Sequence, residues 1–180
     1  MNPNIPRWQL CGFLFTSVLG TFLHFLFDLA DGSPAAALIS AVNESIWEHM
    51  KLLFYPMVLY ALVEYFAWGK NLPGFWCRKS EGILFGLAQI PIIYYTYTGI
   101  LGISADWFNI TIFFLAAMAA YRREALGFQL KKNCILTSSA SVFLLLALAA
   151  AFTLLTFHPI KIPFFRDPLS GTYGFFQVQS

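Results

Sequence analysis

The sequence predicts an all-α protein, a polytopic transmembrane helix bundle of about five spans with one short interfacial helix. Of the 180 residues, 58% are hydrophobic and only 11% are charged. A soluble domain carries roughly 25% charged residues, because its surface must be wetted. The apolar residues also fall into stretches of about twenty, the length that a helix needs to cross a bilayer core of about 30 Å. We therefore expect the surplus apolar surface to face lipid.

These stretches divide the chain into its predicted elements. The length suits one compact bundle, so residues 1–180 are predicted to form a single integral membrane domain. Hydropathy alone sets the expected limits of each span. The predicted spans are residues 8–29, 44–68, 82–103, 106–121 and 134–158.

Two segments lie outside these spans. Residues 35–43 are apolar but too short to cross a membrane, and Pro34 is well placed to begin a helix. We expect a surface helix here that leads into the second span. The tail, residues 159–180, contains three prolines and two glycines. This composition predicts an ordered loop and not a sixth span.

The basic residues predict the orientation. Arg7 and the loops 69–81 and 122–133 together hold eight of the eleven Lys and Arg residues. Cytoplasmic loops are enriched in Lys and Arg, so we predict a multi-pass protein of the cell membrane with a cytoplasmic N-terminus and an outside C-terminus. The three cysteines would then lie in the cytoplasmic half, where reduced thiols are expected. They are Cys11, Cys77 and Cys134.

All three histidines and six of the nine acids fall at the predicted outer end. His24 and Asp28 lie one helical turn apart near the end of the first span, so they share a face. A charge inside a membrane helix costs on the order of 3 kcal/mol even on lenient scales. The pair therefore either reaches the headgroups or takes part in a functional site.

The second span begins with a dense polar segment that holds Asn43, Glu44, Glu48, His49 and Lys51. Asn43 could cap the helix. Helical spacing puts Glu44, Glu48 and Lys51 on one stripe, where two carboxylates repel each other unless a cation, a proton or Lys51 compensates. A capped helix start with a Glu–Lys pair explains part of this segment, but a ligand site would use all of it.

Two further candidates are more ambiguous. Tyr94, in the third span, lies at the depth of these acids, although an interfacial aromatic belt would also explain a tyrosine there. Glu64 lies near Lys70 at the other end of the second span, and we expect it to snorkel to the cytoplasmic interface. Neither residue belongs to a recognised catalytic motif, and the chain contains no HExxH, GxSxG or Walker A sequence.

The segment Asn43-Glu44-Ser45-Ile46-Trp47-Glu48-His49 and the tail Asp167-Pro168-Leu169-Ser170-Gly171-Thr172-Tyr173-Gly174 resemble a bacterial family of small integral membrane proteins without an assigned function. The resemblance covers the whole chain. It implies the fold class and the membrane location, and it suggests that the segment and the tail act together. It implies no catalytic residue.

Three functions remain open from the sequence. The first is a polar ligand- or cation-binding site at the outer end, and the second is a metal-dependent membrane hydrolase. The third is a structural or partner subunit in which the polar cluster only joins helices. Catalytic residues cannot be assigned. The candidate ligand-binding residues are His24, Asp28, Asn43, Glu44, Glu48, His49, Lys51 and Tyr94.

Each hypothesis implies its own partners. A divalent metal would be held by His24, Asp28, Glu48 and His49, since imidazole and carboxylate are its usual ligands. The lipid bilayer is an expected partner in every case, together with a small ligand or cation, and the sequence allows an oligomer. A net charge of +2 is too small to suggest a nucleic-acid partner, and no basic run is interleaved with aromatic residues that could stack on bases.

Overall fold

The computed structural model describes residues 4–130 and 134–175. Within these residues all named elements are helical, and the sole β pairing is an isolated bridge between Arg166 and Tyr173. The predicted all-α class is therefore confirmed. The helices are α1 (Ile5–Leu29), α2 (Pro34–Ala37), α3 (Ile46–Ala67), α4 (Phe75–Leu101), α5 (Asp106–Gln129) and α6 (Ser138–Phe157), with short 3-10 turns at Gly69–Asn71 and Pro163–Phe165.

Local signals explain several boundaries. Pro34 begins the short helix α2, as its position predicted. Helix α3 begins at Ile46, because the Ser45 hydroxyl, and not Asn43, accepts the capping hydrogen bond, from the Glu48 N–H at 3.4 Å. Helix α4 ends at Leu101, because the next residue, Gly102, has a φ of 68°, in the left-handed region that glycine adopts without strain.

Four of the described helices are long and apolar enough to cross a membrane, namely α1, α3, α4 and α6. Helix α5 is also long, with 24 residues, but Asp106 begins it and Arg122, Arg123 and Glu124 lie near its end. Four helices thus support the polytopic membrane character expected from the sequence. A fifth span through α5 stays a prediction.

Helix α3 lies at the centre of the bundle. More than half of its apolar stretch, 56%, is buried inside the protein, against 22% for each of the other three candidate spans. Helix α1 packs against α3 and α5, while α4 packs along α5 and also contacts α3 and α6. The main core forms where these helices meet, and α3 contributes Leu53, Phe54 and Met57 to it.

The five long helices alternate in direction, so the bundle has two distinct ends. We call one the histidine end, because His24 and His49 meet there, and the other the cysteine end, because Cys77 and Cys134 meet there. The structure joins these cysteines in a disulfide with Cα atoms 6.0 Å apart. The expectation of three reduced thiols is therefore wrong for two of them, since folding brings together residues that are 57 positions apart. Cys11 is free and exposed.

Close contact between α1 and α3 depends on a glycine. A β-carbon at Gly20 would lie 2.6 Å from the backbone oxygen of Leu52 and 2.5 Å from the Phe113 ring. A helix backbone cannot move aside as a flexible side chain can. Small residues at such positions let membrane helices approach closely.

We expect Gly20→Ala to lower the free energy of unfolding by about 1–3 kcal/mol, because the added methyl group overpacks the contact. Unfolding in detergent, followed by circular dichroism, measures this loss. Gly99→Ala is the matched control, since nothing lies within 4 Å of that position. Equal stability of the two variants would contradict this packing.

Candidate functional site

The polar segment before α3 is held in place by the C-terminal tail. The Asn43 amide donates to the carbonyl oxygen of Gly174 at 3.1 Å, and its oxygen accepts from the Ser45 N–H at 2.9 Å. The Phe175 N–H donates to the Thr156 carbonyl at 2.7 Å. The bond from Asn43 to Gly174 joins the segment to the tail, the two parts that the family resemblance had suggested act together, and the bond from Phe175 fixes the tail to the end of α6.

Glu44 meets two histidines from different helices. Its Oε2 lies 3.3 Å from Nε2 of His49, and its Oε1 lies 3.8 Å from Nε2 of His24. The two imidazole rings are 5.4 Å apart, and one ligand atom from each residue lies within 4.8 Å of the other two. We call these three side chains the His–Glu–His cluster. Each is partly exposed, so the cluster is reachable from solvent.

The hydrogen bonding of His49 defines what its ring presents to Glu44. Its Nδ1 lies 3.0 Å from the Ser45 carbonyl oxygen, which can only accept, so Nδ1 carries a proton. In a neutral ring Nε2 then holds a lone pair that faces a carboxylate oxygen. Two acceptors in this arrangement require a cation between them, either a proton or a metal ion.

The contact with His49 also affects the protonation of the Glu44 carboxyl. A protonated His49 donates to the carboxylate, and this hydrogen bond lowers the pKa of the Glu44 carboxyl from its ordinary value. Partial burial acts in the opposite direction, and the positive charge that His24 carries when protonated acts in the same direction as His49. Glu44 is therefore a carboxylate at neutral pH, the form that binds a cation.

Glu48 and Lys51, two more predicted site residues, form a separate buried pair. The Lys51 ammonium lies 2.6 Å from Oε2 of Glu48 and donates to the Ala37 carbonyl at 2.9 Å and to Thr156 Oγ1 at 3.0 Å. Thr156 in turn donates to Oε1 of Glu48 at 2.7 Å, and the Val42 N–H donates to Oε2 at 3.2 Å. Both carboxylate oxygens are satisfied, and both side chains are within 1% of complete burial.

The remaining predicted site residues, Asp28 and Tyr94, lie at the edges of the His–Glu–His cluster. Asp28 is exposed at the end of α1 and does not join the His–Glu–His cluster. Tyr94 is half-buried and shares a cleft of about 260 Å³ with Glu44. The cleft is lined by Glu44, Ile46, Tyr94, Tyr95, Pro163, Arg166 and Pro168.

The structure thus brings His24, Glu44 and His49 together, with Asn43 and Tyr94 next to them. Sequence reasoning missed Arg166 and the Ser45 carbonyl as neighbours of this site. The tail motif could have pointed to Arg166, because it begins directly after that residue. No sequence signal identifies a backbone carbonyl as the partner of His49.

The model of a family of unknown function (DUF6512) matches residues 1–175 of the chain. The match covers all six helices. No curated protein and no solved structure matches the chain. The comparisons therefore assign a family but no activity.

We expect Lys51→Met to lower the free energy of unfolding by about 3–5 kcal/mol, because it leaves the Glu48 carboxylate buried without its partner. Glu44→Gln, at a partly exposed position, should change it by no more than about 0.5 kcal/mol. Thermal unfolding in detergent compares the two. The double variant Glu48→Gln/Lys51→Met should recover part of the loss. Equal destabilisation by Lys51→Met and Glu44→Gln would contradict the separation of the two groups.

Proposed function

The chain belongs to this family of unknown function, and we propose that it is an integral membrane protein that binds a divalent cation at its histidine end. His24, Glu44 and His49 are the proposed ligands. The family resemblance and the excess of Lys and Arg in the opposite loops further support a bacterial cell-membrane protein with this end outside, α5 as a fifth span and the N-terminus in the cytoplasm.

The observation that carries the proposal is the distance between Nε2 of His49 and Oε2 of Glu44. Two ligand atoms bound to one tetrahedral zinc ion, each at about 2.0 Å, are about 3.3 Å apart. The distance here is 3.3 Å. His49 and Glu44 therefore already have the ligand spacing of an occupied tetrahedral site, and His24, whose Nε2 lies 3.8 Å from Oε1 of Glu44, would have to move closer.

The surroundings of His49 support the same conclusion. Histidines that bind metals nearly always donate their second ring N–H to a carbonyl or carboxylate, which orients the ring and fixes the tautomer. The Ser45 carbonyl does this for His49 at 3.0 Å. Because Ser45 also caps α3, the start of the helix orients the ligand.

The ligand set indicates the class of metal. Two imidazoles and one carboxylate suit zinc and related first-row divalent ions better than calcium or magnesium, which prefer oxygen. The sequence had suggested Glu48 and Asp28 as ligands, but Glu48 is satisfied by Lys51 and Thr156, so the proposed set uses Glu44 instead. Three protein ligands leave the fourth position for water or a small ligand.

A metal-dependent hydrolase is the second candidate, and the cleft favours it. Glu44 belongs both to the proposed metal site and to the cleft wall, which also holds Tyr94 and Arg166. A bound water would therefore lie beside a pocket with a guanidinium that could hold an anionic substrate. The structural-subunit alternative explains the Glu48–Lys51 pair, but it leaves the partly exposed cluster without a role.

Metal titration tests the proposal. We expect the purified protein, stripped of metal with a chelator, to bind one zinc or cobalt ion, and cobalt should give the visible spectrum of a tetrahedral site. His49→Ala and His24→Ala should each lose this binding. His158→Ala is the matched control, because this third histidine lies beyond the end of α6 and outside the cluster.

Two results would contradict the site. One is a wild-type protein that keeps its fold but binds no metal, which would leave His49 and Glu44 as a simple ion pair. The other is undiminished binding in both His49→Ala and His24→Ala. If the wild type does bind metal, vesicle uptake and hydrolase assays with the same variants separate transport, catalysis and binding alone.

A further inference from the structure

A second ionisable cluster lies inside the bundle near its cysteine end. Glu64 of α3, Lys79 of α4 and Glu124 of α5 meet there, and each is at most 1% exposed. The Lys79 ammonium contacts Oε2 of both glutamates, and Gln9 of α1 donates to Oε1 of Glu64 at 2.9 Å. We call these four side chains the inner cluster. The prediction that Glu64 snorkels to the interface beside Lys70 is wrong, since Glu64 is completely buried.

Apolar side chains enclose the inner cluster. Toward the cysteine end, Ile5, Phe75 and Phe128 form a small buried core with Trp68 packed against it. Toward the middle of the bundle lies the main core, which includes Tyr121 one turn before Glu124. The four helices that supply the cluster therefore hold it in a low-dielectric environment, where an unbalanced charge is strongly unfavourable.

The packing shows that the position of Glu124 depends on Gly82 of α4. A β-carbon at Gly82 would overlap the Glu124 side chain and lie 2.9 Å from its Oε1. The glycine thus provides the space in which the second carboxylate reaches Lys79. Without that space the cluster would be an ordinary pair of one acid and one base.

The charges of the inner cluster do not balance. Two carboxylates face one ammonium, and the other side chains recorded in contact with the three are neutral, namely Gln9 and the Tyr121 ring. Tyr60, also neutral, lies on α3 one turn from Glu64.

The nearby charged residues of α4 and α5 point elsewhere. Arg78 donates to the carbonyls of Gly127 and Pro73 at the cysteine end. Glu81 pairs with Arg123 on the surface. Among the residues that the structure describes, one negative charge of the inner cluster is therefore left uncompensated.

The hydrogen bonds of the inner cluster show a matching excess of acceptors over donors. Oε1 of Glu124 and Oε1 of Gln9 are buried acceptors without a hydrogen-bond partner among the described residues. The Glu48–Lys51 pair at the other end of α3 provides an internal comparison, because it has one acid, one base and no unsatisfied carboxylate oxygen. Within the described ranges 4–130 and 134–175, the inner cluster thus lacks both one positive charge and one hydrogen-bond donor.

A single proton would supply both. It converts one carboxylate into a carboxylic acid, whose O–H donates, and it cancels the excess charge. Only an O–H bond forms, and the proton comes from water. A metal ion fits less well, because the Lys79 ammonium already touches both carboxylates and would repel it.

We propose that the inner cluster is a binding site for one exchangeable proton, shared between Glu64 and Glu124 beside the Lys79 ammonium. This site is separate from the proposed cation site and does not depend on it. Ionisable residues in the interior of membrane domains commonly serve in proton relays. The protein would then hold a proton and a divalent cation at opposite ends of α3.

Infrared spectroscopy of the full-length protein in lipid tests the proposal. We expect the carbonyl band of one protonated carboxylic acid at neutral pH, shifted in heavy water. Glu124→Gln and Glu64→Gln should each abolish the band, because the remaining acid is then balanced by Lys79. Glu81→Gln is the matched control and should retain it. A band that is absent from the wild type, or present in both cluster variants, would overturn the proposal.

The pH dependence of stability gives a second readout that does not require spectroscopy of a weak band. If the native state holds a proton that the unfolded state has released, stability falls as the pH rises. The wild type and Glu81→Gln should therefore lose Tm more steeply than Glu124→Gln from mildly acidic pH, above the ordinary carboxyl pKa, up to the pH at which the native cluster releases its proton. Equal slopes in all three would overturn the proposal. So would a sodium-dependent rise in Tm at alkaline pH that Glu124→Gln abolishes, since it would identify a metal cation.

Discussion

The burial of charge along α3 constrains the rest of the bundle. This helix is the most enclosed of the candidate spans, yet it carries Glu48, Lys51 and Glu64 with at most 1% of each exposed. Removing one partner from a buried ion pair costs several kcal/mol, because the other charge stays behind. Each neighbouring helix must therefore dock in the register that supplies a partner. Helix α6 supplies Thr156, and α4 supplies Lys79.

The two ends of α3 solve this problem differently. At the histidine end, Glu48 and Lys51 lie one turn apart on the same helix and neutralise each other. A backbone carbonyl and a threonine hydroxyl provide their remaining hydrogen bonds. At the cysteine end, the groups come from three helices, and the count of acids exceeds the count of bases. A pair with equal numbers of acids and bases stabilises the fold and needs no ligand to neutralise it. An unbalanced network can take up a proton, which is why we assign a ligand to the inner cluster alone among the buried networks of the described residues.

The His–Glu–His cluster differs from both, because it is reachable from solvent. Its rigidity comes from the elements around it. Ser45 both caps α3 and orients the His49 ring, and Asn43 ties the segment to the tail. Thr156 links the two systems, since its hydroxyl serves the Glu48–Lys51 pair while its carbonyl holds Phe175. The buried pair and the tail that holds Asn43 are therefore joined through one residue, Thr156.

The sequence by itself determined the all-α class, the membrane character and the segment in which the candidate site lies, because hydropathy and helical spacing are local properties. It also identified His24, Glu44 and His49, but it could not separate them from Glu48, which lies beside His49 and points about 100° away on the helix. Only the tertiary structure decided that Glu44 faces the histidines while Glu48 faces Lys51. Sequence reasoning put Glu64 at the interface and Lys79 and Glu124 in loops, since a charge is easiest to place where water is near. Their convergence depends on contacts between helices far apart in the chain, and such partners have no local signature.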